Sequence, residues 1–142
     1  MNSTTSNELN KAARYAMREL NGFPKWLTNL AELFPAVVRP TISECVTADY
    51  TVAADQECPH DVLAKLVYAP EGLANLCAPD LFSLVKKSNP PNDSNLGYAL
   101  GVLLKSSAIN FNELAVIAGR RTKAAIHKQS LFLPWFETWL IT

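Results

Sequence analysis

Residues 68–85 read YAPEGLANLCAPDLFSLV, and this stretch decides the fold. Ala-Pro occurs twice in it, nine residues apart, and apolar residues follow each proline at three- and four-residue spacing. Proline suits the first position of a helix, because its ring fixes φ and its missing N–H would have no partner there. The two repeats therefore predict two short helices, Pro70–Cys77 and Pro79–Ser88.

Similar helix starts recur along the chain, and they predict an all-α fold. In the first half of the chain, the other expected helices are about Ser6–Leu20, one that begins at Pro24, one from Pro35 to about Ala48, and Pro59–Tyr68. Because Pro40 lies inside the third of these, a kink or restart is expected near Arg39. In the second half, they are one from Asp93 or Ser94 to about Ser107, one or two within Glu113–Gln129, and Pro134–Ile141. Residues 1–142 are thus predicted to form a single helical domain of about eight or nine short helices. Residues 1–6 are expected to be disordered, and a fragment of an α-solenoid in a longer protein is the other architecture that this pattern allows.

Charge is scarce and unevenly distributed in this chain. Charged residues make up 18% of the sequence, against roughly 25% in typical soluble domains. The net charge is zero, but the charges are separated along the chain. Residues 44–80 include seven acidic residues and one basic residue, while the residues from Leu81 onward include seven basic and three acidic residues. A zero net charge draws the chain to neither nucleic acid nor an anionic membrane. Low charge predicts an unusually apolar core or an apolar flank that meets another surface.

The sequence has the features of a cytoplasmic protein. Its first residues, NSTTSN after Met1, are polar and lack the apolar segment of a signal peptide. No run of about eighteen apolar residues occurs, so no membrane partner is expected. The three cysteines are expected to be reduced thiols.

Residues 13–38 carry a resemblance to a known group of proteins. They include the pattern Gly22-Phe23-Pro24-Lys25-Trp26 followed by a helix opened at Pro35. This resembles helical regions beside the nucleotide-binding domain of large bacterial NACHT- or STAND-type NTPases. The resemblance implies a scaffold, sensor or superhelical arm within a longer protein. It implies no nucleotide chemistry, because the sequence lacks a Gly-x-x-x-x-Gly-Lys-Ser/Thr phosphate loop.

Two arrangements of cysteine and histidine are candidate chemical sites. Cys45, Cys58, His60 and Cys77 would suffice as zinc ligands, but no Cys-x-x-Cys pair anchors them. A helix beginning near Cys58 would lower the pKa of its thiol and favour a nucleophile. Both patterns have a simpler structural explanation: the residues around Cys58 begin a helix, and the other cysteines are buried in the core. We therefore expect no catalytic residue, no metal and no cofactor.

The C-terminal third holds the candidate binding residues. The basic ones are Arg120, Arg121, Lys123 and Lys128, and the aromatic ones are Trp135, Phe136 and Trp139. Because Arg121 and Lys128 are seven residues apart, one helix would align them as a stripe for phosphates or an acidic surface. The alternative is a solvated helix face. The aromatic residues either close the core or mark an interface.

These observations favour a non-catalytic module for protein–protein interaction, scaffolding or sensing within a larger cytoplasmic bacterial protein. Its expected partner is another protein or another domain of the same parent chain. The alternative function is a nucleic-acid or phosphate-binding helical module that uses Arg120–Lys128.

Overall fold

Eight helices and no strand form the part of the chain that the computed structural model describes, residues 3–142. They are α1 (Ser3–Met17), α2 (Trp26–Leu33), α3 (Pro35–Thr51), α4 (Val62–Val67), α5 (Glu71–Lys87), α6 (Ser94–Lys105), α7 (Phe111–Ala124) and α8 (Gln129–Ile141). Helix accounts for 72% of the chain. The predicted all-α fold is confirmed.

Two helices, α3 and α6, organise the packing. Helix α3 contacts α1, α2, α4, α5 and α6, and helix α6 also contacts α4, α5 and α8. Helix α7 packs mainly on α8. The buried apolar side chains form one contiguous cluster, whose largest fully buried members include Trp135, Tyr50, Met17 and Ile42. A single core thus holds the N-terminal and C-terminal helices together.

The two helices predicted around Pro79 are one continuous helix, α5, so the predicted break is wrong. Pro79 removes one helical hydrogen bond, the one that its N–H would have given to the Asn75 carbonyl. Its position is exposed, so water can bond that carbonyl. Ala78 and Leu81, on either side of Pro79, are fully buried. Burial of this continuous apolar face outweighs a proline cost of roughly 3 kcal/mol.

Two further prolines also lie inside helices. Helix α3 runs through Pro40, with no restart near Arg39. Helix α8 begins at Gln129, so Pro134 is not its first residue as predicted. In both helices the proline is the sixth residue, so each helix lacks one hydrogen bond near its N-terminal end.

Local signals at other helix ends match the structure more closely. Gly22 has φ +100° after α1, a left-handed conformation that glycine adopts without strain. Asn110 caps α7, since its side chain accepts hydrogen bonds from the backbone N–H groups of Asn112 and Glu113. Helix α1 already begins at Ser3, so residues 3–6, expected to be disordered, are helical. The rest of that expectation, residues 1–2, lies outside the described residues.

Candidate interaction surface

Arg121 is held within the fold by the C-terminal end of α5. Its Nη2 donates to the carbonyl oxygens of Val85, at 3.3 Å, and Lys86, at 2.9 Å. Its Nη1 donates to Asn89 Oδ1 at 3.1 Å, and its guanidinium carbon lies 5.4 Å from the centroid of the Trp135 ring. Carbonyls in the last turn of a helix have no helical partner. Arg121 therefore caps α5, and its guanidinium makes three hydrogen bonds inside the chain.

The predicted basic stripe on one helix is wrong. Helix α7 ends at Ala124, and residues 125–128 form the turn into α8, so Lys128 does not lie on α7 with Arg121. Lys128 Nζ lies 3.2 Å from Asp93 Oδ2 in an ion pair. Arg120 and Lys123 are exposed on α7, and Lys123 Nζ lies 5.9 Å from the centroid of the Trp139 ring. Arg121, Lys123 and Lys128 thus have separate contacts, and the four basic residues do not form one stripe.

Asp93 joins the loop before α6 to the start of α8. Its Oδ2 accepts a hydrogen bond from Ser130 Oγ at 2.7 Å. This bond, together with the hydrogen bond and charge of Lys128, lowers the pKa of the Asp93 carboxyl. Asp93 thus ties the first turn of α8 to the loop before α6 through Ser130, and it pairs with Lys128, whose side chain stays exposed.

The aromatic residues of α8 lie partly in the core and partly at the surface. Trp135 is fully buried, and its Nε1 donates to Asn89 Oδ1 at 2.9 Å. Phe136 is half-buried and stacks on Phe132, with ring centroids 5.4 Å apart. Trp139 is 41% exposed. Core closure therefore explains Trp135, while Trp139 lies at the surface beside α7.

An apolar depression at this end of the protein lies between α6 and α8. We call it the α6–α8 groove, and its volume is about 240 Å³. The residues that define it are Gly97, Gly101, Leu104, Leu133, Glu137 and Ile141. A second depression of about 280 Å³ continues from Leu104 and Ile141 to Phe111.

The groove exists because α6 has glycines where other helices carry side chains. A Cβ placed on Gly97 would meet no atom within 4 Å, so the space beside it is open. On the opposite helix, Leu133 is 42% exposed and Ile141 is 71% exposed. The groove was missed in the sequence reasoning. Its signal was the spacing of Gly97 and Gly101 by one helical turn, together with apolar residues on the outer face of α8.

The Cys58 thiol is not activated as a nucleophile. Burial raises the pKa of Cys58, and the thiol donates a hydrogen bond to Asn95 Oδ1 at 3.4 Å. Helix α4 begins only at Val62, whose N–H donates to Asp49 Oδ2 at 2.6 Å. The backbone N–H of His60 donates to Asp49 Oδ1 at 2.9 Å. The buried Asp49 carboxylate thus occupies the helix end that was expected to lower the pKa of the thiol.

The other cysteines are likewise part of the packing. Cys45 and Cys77 are buried, and both are free thiols. Within residues 3–142, no three side chains of His, Cys, Asp or Glu come together in an arrangement that could hold a metal ion.

The chain matches no model of a protein family, no curated protein and no solved structure. Among the described helices, none is both long enough and apolar enough to cross a membrane. The α6–α8 groove is therefore interpreted from its own geometry.

Proposed function

We propose that this chain is a non-catalytic module for protein–protein interaction, scaffolding or sensing within a larger cytoplasmic bacterial protein. It binds an amphipathic helix, from another protein or another domain of the same parent chain, in the α6–α8 groove. The observation that carries the proposal is the pairing of open space beside Gly97 with the exposed apolar side chains of Leu133 and Ile141.

The chemistry of the groove supports a helical partner. Helices that bind in grooves insert apolar residues at three- and four-residue spacing. The open space beside Gly97 lets a second helix approach closely, and Leu104, Leu133 and Ile141 offer apolar contact on both walls. Glu137 is exposed in the same groove, so a lysine or arginine beside the apolar residues of the partner would fix its register.

Two other features agree with a module of this kind. The resemblance of residues 13–38 to helical regions of bacterial NACHT- or STAND-type NTPases favours a part of a larger cytoplasmic protein. The hydrogen bonds of Arg121 and the ion pair of Lys128 argue against the alternative of nucleic-acid or phosphate binding through Arg120–Lys128. Only Arg120 and Lys123 of that set lie exposed on α7 without an ion pair among the described residues.

A peptide-display selection tests the proposal. The wild-type protein should enrich peptides that form amphipathic helices with apolar residues at i, i+3 or i+4, and i+7. Gly97→Leu fills the open space, and Leu133→Asp charges the wall, so each should weaken binding at least tenfold. Gly72→Leu is the matched control, because a Cβ on Gly72 of α5 also meets no atom within 4 Å. Selected peptides that bind Gly97→Leu as tightly as the wild type would disprove the proposal.

A further inference from the structure

A second candidate site is a cavity far from α8 in sequence. Its volume is about 660 Å³, and it opens between the loop that joins α1 to α2 and the loop that joins α4 to α5. Phe23, Ala64 and Tyr68 contribute apolar surface, and Lys25 and Lys65 contribute positive charge. We call it the Lys25–Lys65 cavity. Its volume lies within the 300–1,000 Å³ that small-molecule sites occupy.

The charge of this cavity is unbalanced. Neither aspartate nor glutamate lines it. Among the described residues, neither Lys25 nor Lys65 lies within ion-pair distance of an acid. Glu19 and Glu71 are near in sequence but do not line the cavity. Two unpaired ammonium groups beside apolar surface complement a ligand that is itself apolar and anionic.

Lys65 is held in place before any ligand binds. Its Nζ donates to the carbonyl oxygen of Met17 at 2.9 Å, at the C-terminal end of α1, and lies 5.9 Å from the centroid of the Phe23 ring. An ammonium group has three N–H donors. In residues 3–142 the Met17 carbonyl is the one hydrogen-bond acceptor that Lys65 Nζ meets, which leaves two donors for a ligand. A group that is already ordered loses little entropy on binding.

The segment that carries Phe23 is also fixed by local backbone structure. Gly22 adopts φ +100°, which turns the chain after α1. The backbone N–H of Leu27 then donates to the Pro24 carbonyl at 3.0 Å, which closes the turn into α2. In the sequence Phe23 lies between Gly22 and this turn, so the backbone on both sides of Phe23 is fixed. Phe23 and the ammonium group of Lys65 are thus held in a fixed relation, while Lys25 at the rim is exposed and free to reach a ligand.

From this geometry we propose that the Lys25–Lys65 cavity binds a small molecule with an aromatic body and a carboxylate. The aromatic body packs on Phe23, Ala64 and Tyr68, and the carboxylate accepts hydrogen bonds from the ammonium groups of Lys25 and Lys65. This site is separate from the α6–α8 groove and does not depend on the function proposed for it.

The test uses naphthalene-2-carboxylate and its neutral counterpart 2-naphthylmethanol, titrated into the ¹⁵N-labelled protein and followed by ¹H–¹⁵N correlation spectra. The carboxylate should shift the amide resonances of Gly22, Thr28 and Tyr68 and saturate at millimolar concentration. The alcohol should bind about fivefold or more weakly, since it lacks the charge that the lysines bind.

Lysine variants then assign the charge to its residues. Lys25→Met and Lys65→Met should each weaken carboxylate binding about three- to tenfold and leave the alcohol nearly unaffected. Lys25 is exposed and makes no hydrogen bond through its side chain among the described residues, so its variant keeps the fold even if Lys65→Met does not. Lys87→Met, at an exposed lysine near the C-terminal end of α5, is the matched control and should bind as the wild type does.

A cavity-filling variant locates the site independently of charge. Ala64→Phe occupies the cavity and should abolish binding of both probes. The proposal is overturned if the carboxylate causes no saturable shifts, if the two probes bind equally well, or if Lys25→Met and Lys87→Met behave alike. It is also overturned if Ala64→Phe binds the carboxylate as tightly as the wild type.

Discussion

Gly119 of α7 lies directly against the indole of Trp139 of α8. A Cβ placed on Gly119 would come within 3.0 Å of both Cε2 and Nε1 of that ring, and within 3.3 Å of Cζ2. Real Cβ atoms rarely approach other atoms so closely. Glycine at this position therefore sets how near α7 and α8 can come, and it does so in the middle of a helix where glycine is otherwise unfavourable.

Replacing Gly119 with leucine should separate this helix pair. We expect Gly119→Leu to lower the free energy of unfolding by about 2 kcal/mol, because overpacking outweighs the gain in helix propensity. Urea denaturation measures the change. Adding Trp139→Ala removes the obstructing ring, so the double variant should lose less stability than the two single variants together.

Gly97→Leu is the matched control for this prediction. Gly97 is also within a helix, but a Cβ there meets no atom within 4 Å. Its replacement should leave stability unchanged or raise it by about 1 kcal/mol through helix propensity alone. Equal losses of stability in Gly119→Leu and Gly97→Leu would contradict the role assigned to the contact with Trp139.

Asn89 links the buried indole of Trp135 to Arg121. Its Oδ1 accepts from Trp135 Nε1 at 2.9 Å and from Arg121 Nη1 at 3.1 Å. In Asn89→Ala the indole N–H loses its partner in a fully buried side chain, and the free energy of unfolding should fall by about 2 kcal/mol. Denaturation followed by tryptophan fluorescence measures both the stability and the environment of the indole.

A neighbouring asparagine provides the comparison. Asn92 lies in the same loop, and its Oδ1 accepts from the exposed backbone N–H of Ser94 at 3.1 Å. Asn92→Ala should cost less than about 1 kcal/mol, because water replaces the lost bond. If the two alanine variants have the same stability, Asn89 does not contribute through the buried indole.

The all-α fold could be predicted from the sequence, but most of the helix boundaries could not. Apolar spacing predicted the helices but not every buried residue, since Leu20 and Leu33, expected on inward faces, are exposed. Gly22 and Asn110 do lie at helix ends. The helix break predicted at Pro79 was wrong. The preference of proline for a first helical turn is a local property, whereas the burial of Ala78 and Leu81 depends on the whole fold. The free energy gained by burying a continuous apolar face exceeds a local preference of a few kcal/mol.

The candidate surface was predictable only in part. The aromatic residues named from the sequence lie on α8, which forms one wall of the α6–α8 groove, but none of Trp135, Phe136 and Trp139 lines it. The role of Arg121 could not be inferred, because its partners Val85, Lys86 and Asn89 lie more than thirty residues away in the chain. The groove depends on the pairing of α6 with α8, which helical periodicity on either helix does not specify.

Pro79→Ala should stabilise the protein. The new N–H can donate to the Asn75 carbonyl and complete the helical ladder of α5. Greater freedom of the unfolded chain offsets part of this gain, so we expect the free energy of unfolding to rise by about 1 kcal/mol. Pro35→Ala, at the first residue of α3, is the control and should not stabilise, since no N–H is needed there. A loss of stability in Pro79→Ala would show that the proline is required within α5.

The buried thiols should make the protein less stable in alkaline solution. Burial raises the pKa of Cys77 from 9.0 to about 12 and that of Cys45 from 9.0 to about 11. The folded state therefore keeps these protons when the unfolded chain has lost them, and stability falls as the pH rises from about 9 toward 12. Urea midpoints measured at pH 7.5, 9 and 10 should decline for the wild type and decline less for Cys77→Ala. Parallel pH profiles of the two proteins would show that the Cys77 thiol does not contribute to the decline.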